Sequence, residues 1–131
     1  MPMSQRETAL SLRTSALIQQ IYAADEALDA ESFVALLTED VQFRLGSNPL
    51  ITGRASVFQM ITTFFSTIQG LQHHLIKAWE DETTVIFEAE VTYTRKDGSQ
   101  VTIPYVDVLE LESTQVKDYK IYIDLTPLQH I

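Results

Sequence analysis

Leu10, Leu17, Ile21, Ala24 and Leu28 recur at helical spacing, with Ile18 and Tyr22 beside them. The pattern predicts one long amphipathic helix ending near Leu28. Ser4-Gln5-Arg6-Glu7 ahead of it has the spacing of a capping box. Asp29 then reads as the N-cap of a shorter helix with the apolar stripe Phe33, Leu36 and Leu37, ending around Thr38-Glu39-Asp40. Residues 41–45 alternate as a strand, and Gly46 to Pro49 breaks it. A third helix is expected over 54–68, with Val57, Phe58, Ile61, Phe64 and Phe65 on a wide apolar face and Gly70 as its stop.

Beyond Gly70 the period changes from 3.6 to two. Strands are expected over 72–80, 84–95, 100–112 and 115–125. Asp97-Gly98 between two alternating runs is a hairpin signal. Helices first and a meander of long strands last predict an α+β fold, with three N-terminal helices on one face of a curved antiparallel sheet.

Composition narrows the function. The chain has 131 residues, 18 acidic and 9 basic side chains, a net charge of −9 and no cysteine. The length suits a single domain spanning residues 1–131. The acidic balance argues against nucleic acid and against an anionic membrane surface as partners. Without cysteine there is no disulfide, thiolate nucleophile or Cys-based metal site. No stretch approaches the ~20 apolar residues of a membrane span. The first residues carry no apolar run of signal-peptide type, and a cytoplasmic protein is expected.

Alternation isolates one unusual residue. In 101–111, one face carries Val101, Ile103, Tyr105, Asp107, Leu109 and Leu111. Asp107 therefore shares a face with residues that favour burial, where a carboxylate must be paired, hydrogen-bonded or protonated. It is either a pocket acid with a raised pKa or a structural carboxylate held by a tyrosine hydroxyl or a backbone amide. Tyr119, Ile121 and Ile123 on the following strand continue that face. His73 and His74 point to opposite sides of their strand, with His74, Ile76 and Ala78 sharing one, so without a bulge only one histidine can enter a pocket and the two cannot chelate a metal together. Asp25, Glu26 and Asp29 read as solvated helix ends, with Glu26 alternatively at a pocket mouth. Glu88 and Glu90 read as exposed sheet decoration.

The order of these segments resembles the nuclear-transport-factor-2-like (SnoaL-like) superfamily over about Leu10 to Leu128. The resemblance is carried by 29–43, by Gly53-Arg54 before an apolar helix, by Tyr105-Val106-Asp107-Val108-Leu109-Glu110-Leu111 and by Ile121-Tyr122-Ile123-Asp124-Leu125. It implies a cone (cystatin-like) whose apolar mouth lies between sheet and helices, and a homodimer through the open sheet face. Asp107 matches the steroid-isomerase Asp that donates a hydrogen bond to an oxyanion. A comparison with scytalone dehydratase puts its strand histidine at His74 and a helix carboxylate near Glu26. Leu45 stands where the isomerase has its base, and Ile21 near its oxyanion tyrosine, with Tyr22 one residue away.

The expected site is therefore Asp107, His74 and Tyr22 as catalytic residues. Tyr105, Leu45, Tyr119, Ile121, Ile123 and Phe58 are expected to line the substrate pocket. No metal and no cofactor are expected. The expected partner is an apolar small molecule, with acid–base isomerase, dehydratase or cyclase chemistry. The alternative is a non-catalytic dimeric binding or scaffold module.

Overall fold

The computed structural model describes residues 10–129. The helix α1 (Leu12–Glu26) is followed by α2 (Ala30–Val34), β1 (Leu37–Leu45), β2 (Ile51–Thr52) and α3 (Arg54–Phe65). The second half runs β3 (Ile68–Asp81), β4 (Thr84–Arg95), β5 (Gln100–Glu112), β6 (Gln115–Ile123) and a short α4 (Thr126–Gln129). The strands form one curved, unclosed sheet in the order β2-β1-β6-β5-β4-β3. The fold is α+β, as the pattern implied.

Several boundaries differ from the sequence expectation, each for a local reason. The Ser4–Glu7 capping box lies outside the described residues; Ser11 caps α1, accepting from the Thr14 amide. The Ser11 amide and hydroxyl both donate to Glu80, which ties the start of α1 to β3. The second helix stops early because Leu37 is fully buried as the first residue of β1. α3 ends at Phe65, where the Ser66 and Thr67 hydroxyls donate back to the Thr63 and Phe64 carbonyls. Ile68 therefore starts β3, and Gly70 lies within that strand instead of stopping a helix.

The sheet is not antiparallel throughout. β1 runs parallel to β6, with Phe43 opposite Tyr119 and Leu45 opposite Ile121. The long crossover through α3 and the meander allows this pairing, which a tight hairpin could not. β4 and β5 pair without interruption from Thr84↔Glu110 to Thr94↔Gln100. Their alternation holds throughout: Val85, Phe87, Ala89, Val91 and Tyr93 are buried. The core packs this inner face against α1, α2 and α3, with Ile21, Phe33, Phe43, Val57 and Leu109 fully enclosed. No helix among the described residues is long and apolar enough to cross a membrane.

Candidate active site

A narrow cavity of about 50 Å³ opens between the inner sheet face and the helices, within about 530 Å³ of empty space once its mouth is included. β5 supplies Tyr105 and Asp107, and β6 supplies Tyr119, Ile121 and Ile123. Leu45 at the end of β1 and Tyr22 on α1 complete the part of the lining that the sequence indicated.

Two expected residues lie elsewhere. Phe58 is exposed and borders a different, shallow depression beside Leu28 and Thr62. It sits one residue from Val57, which takes the inward position on α3. His74 is also exposed and pairs with Glu90 on the outer face. Its neighbour His73 enters the cavity, opposite Val91, which also lines it. The assumed parity fails because β3 contains a bulge: Leu75 pairs with Ala89 and Lys77 with Glu88, leaving Ile76 as an extra residue. Beyond the bulge Ala78 returns to the inner face, opposite Phe87. An extra residue in one strand shifts the two-residue period, so Ala78 no longer shares a side with His74.

The deep end of the site is Asp107. It is 3 % exposed. The Tyr119 hydroxyl donates to its Oδ2 at 3.2 Å, while Oδ1 has no protein partner. Burial drives its pKa well above the ordinary carboxylate value, against the opposing pull of the Tyr119 bond. Burial thus favours the protonated form of the acid, and Oδ1 is the oxygen without a protein partner. Tyr119 fills the structural role that the sequence offered for Asp107 through one oxygen, while the other oxygen has no protein partner. Burial likewise raises the Tyr119 and Tyr105 hydroxyl pKa values, so both remain hydrogen-bond donors.

The rim is built on His73. Its Nδ1 lies 3.2 Å from Glu26 Oε2, and its Nε2 lies 3.7 Å from Asp25 Oδ2. Glu26 also accepts from the His73 backbone amide at 2.8 Å. β3 is the sheet edge, so this carboxylate satisfies an otherwise unpaired strand donor. The Tyr22 ring stacks on the imidazole at 4.2 Å with a 2° interplanar angle. The Tyr105 hydroxyl donates to the Tyr22 oxygen at 3.1 Å, which links β5 to the rim.

Burial lowers the His73 pKa, and the Glu26 contact only partly opposes it. A neutral ring that gives its Nδ1 proton to Glu26 keeps a basic lone pair on Nε2. Burial, aided by the Glu26 charge, pushes Asp25 up to about 8, and burial pushes Tyr22 up to about 12. At neutral pH the rim therefore holds a neutral imidazole beside a protonated carboxyl.

The cavity lining thus includes Asp25, which its place at a helix end would leave solvated, and His73 in place of His74. Asp25 had a usable signal. It follows Ile18, Ile21 and Tyr22 at i+7, i+4 and i+3, so it lies on the buried stripe of α1. The test that isolated Asp107 at a period of two isolates Asp25 at 3.6. Among the described residues, no group of three or more His, Asp or Glu is arranged to hold a metal ion.

A family model for the SnoaL-like domain matches residues 18–119. The chain belongs to this family. Solved structures agree on the fold. A protein with a ketosteroid isomerase-like fold from Catenulispora acidiphila, solved with trimethylamine, has 16% identity and a TM-score of 0.77, covering 84% of this chain and 86% of its own. An NTF2-like protein of unknown function from Burkholderia pseudomallei has 15% identity and a TM-score of 0.79, covering 90% and 95%. An LEH-like epoxide hydrolase from M. tuberculosis has 14% identity and a TM-score of 0.74, covering 86% and 84%. No curated protein matches the chain significantly. These identities establish the SnoaL-like fold and no particular activity.

Proposed function

We propose that this SnoaL-like domain is an enzyme of proton transfer, of the isomerase, dehydratase or cyclase type. Its substrate is a largely apolar molecule bearing a carbonyl or hydroxyl oxygen. The observation that carries the reading is the unpartnered Asp107 Oδ1 in a cavity that also holds His73. In this reading the protonated Asp107 donates to the substrate oxygen, while Tyr119 fixes its other oxygen. The His73 Nε2 lone pair takes a proton from the substrate, and the resulting imidazolium returns it at a second carbon or to a leaving hydroxyl. Glu26 orients the ring, and the protonated Asp25 keeps a second negative charge away from it. Apolar walls exclude water and strengthen both interactions.

The test is turnover of a panel of ketosteroid, epoxide and hydroxyketone substrates by the wild type, Asp107→Asn and His73→Gln. Loss of at least about 100-fold in both variants, with folded circular-dichroism spectra, is the expected result. Absence of turnover on the whole panel, with ligand retention unaffected by Asp107→Asn, would instead make the domain a non-catalytic binding module.

We also propose a homodimer through the outer sheet face. Trp79, Ile86 and Val108 line up across three strands there, and Val106 pairs with Tyr122, which is 55 % exposed. An apolar stripe of this kind on a sheet face normally marks an interface. Sedimentation equilibrium at micromolar concentration should give twice the chain mass.

A further inference from the structure

The cavity described above is too small for the molecule its chemistry suits. At about 50 Å³ it has room for a polar head and little else. A second cavity, of about 820 Å³, lies at the open end of the sheet. Leu45 and Phe64 line both, so the two chambers share a wall. Phe64 is half-buried and meets Tyr93 edge-on at 5.8 Å, which sets its ring at this boundary.

The outer chamber is formed by the end of α3, the β4–β5 turn and the C-terminal turn. Met60, Leu125 and Leu128 give it apolar surface. Its C-terminal wall is tied down. The Arg95 guanidinium donates to the Leu128 carbonyl at 3.1 Å and to the Pro127 carbonyl at 2.7 Å, and also reaches Ser99. Asp124 accepts from the Thr126 amide and fixes the start of the same turn. The chamber is therefore bounded by ordered chain, and it meets the acid-bearing cavity at Leu45 and Phe64.

We propose that the two chambers form one bipartite ligand site with Phe64 as the shutter between them. The ligand class is an elongated neutral molecule: a carbonyl head that enters the inner chamber, and an aliphatic or alicyclic body that lies in the outer one. This rests on the reading of Asp107 as donor to a substrate oxygen, and it adds the shape and length of the substrate. Phe64 and Leu128 are then specificity-determining residues. Phe64 admits the head, and Leu128 contacts the body.

The probe is a series of methyl ketones from 2-butanone to 2-undecanone, with binding read by isothermal titration calorimetry. In the wild type, affinity should rise roughly fourfold per methylene once the chain passes Phe64, until the outer chamber is filled. Leu128→Glu should remove most of this length dependence and leave 2-butanone unchanged. Phe64→Trp, which enlarges the shutter, should weaken all long members, whereas Phe64→Ala should favour bulkier heads. Affinity independent of chain length, or no binding by any member, overturns the bipartite site. Length dependence that survives Leu128→Glu also overturns it. Asp107→Asn separates the two readings: if it leaves the whole series unchanged while Leu128→Glu still flattens the slope, the outer chamber stands and the donor role of Asp107 fails. If short ketones need Asp107 and length has no effect, the reverse holds.

Discussion

β5 and β3 each deliver one polar side chain to the same cavity, but they do so by different means. β5 is an interior strand paired on both sides, and Asp107 is held by its own sheet and by Tyr119 on the neighbouring strand. β3 is an edge strand with a bulge, and His73 is held by a helix: Tyr22, Asp25 and Glu26 all come from α1. The deep acid is therefore positioned by the sheet, and the helices close the cavity over it. The rim histidine depends on α1 docking against β3, a contact fastened by Ser11–Glu80 at one end of the helix and Glu26–His73 at the other. Changes at the deep end should act on stability, and changes at the rim on ionisation.

The largest expected effect comes from Tyr119→Phe. It leaves both Asp107 oxygens without a protein partner at the buried end of the cavity. The loss should be about 1–3 kcal/mol in urea unfolding, the desolvation cost of an orphaned buried polar group. Tyr22→Phe removes the acceptor of a single bond at the half-buried rim and should cost clearly less. Equal losses would mean that the two ends are equally sealed, which would end the distinction.

The same contrast explains what was legible in the chain. Asp107 stood out because β5 keeps a strict two-residue period, so one acid among Ile103, Tyr105 and Leu109 is visible by inspection. Tyr119, Ile121 and Ile123 followed from it, because β6 keeps the same inner face in register. His73 could not be found that way. Its face depends on an extra residue at Ile76, and a bulge on an edge strand leaves no mark in a list of polar and apolar letters. Asp25 was hidden for another reason: acids near a helix end are usually solvated, whereas here α1 carries its buried stripe into the last turn. The parallel β1–β6 pair was beyond reach because it joins segments with most of the chain between them. Local periodicity reports which face a residue takes, not which distant strand lies beside it.

An intermediate effect is expected from the pH dependence of Asp25→Asn. The folded-state pKa of Asp25, about 8, lies above the ordinary value of 3.8. The folded protein therefore binds more protons than the unfolded chain between these limits, and stability falls as pH rises from about 4 to 8. His73, whose pKa is lowered, acts in the opposite sense and removes stability as pH falls below its ordinary value near 6.5. Asp25→Asn abolishes the first slope and leaves the second. Relative to wild type, the variant should be more favourable at pH 8 than at pH 5, as measured by urea midpoints at the two pH values. An unchanged difference would mean that Asp25 is ionised in the folded state, and the rim would then carry a charge beside His73.

The smallest effect should come from the histidine that the sequence favoured. His74 points away from the cavity, pairs with Glu90 on the outer face and is exposed. Changing it to glutamine removes no buried contact, so stability should move by no more than about 0.5 kcal/mol. Turnover and methyl-ketone affinity should stay at wild-type values, while His73→Gln loses turnover. The pair is a direct test of the bulge, because a strand that kept strict alternation from Ala78 back to His74 would reverse the two results. Wild-type turnover in His73→Gln, with loss in His74→Gln, would place the other face of β3 against α1 and remove the rim as described.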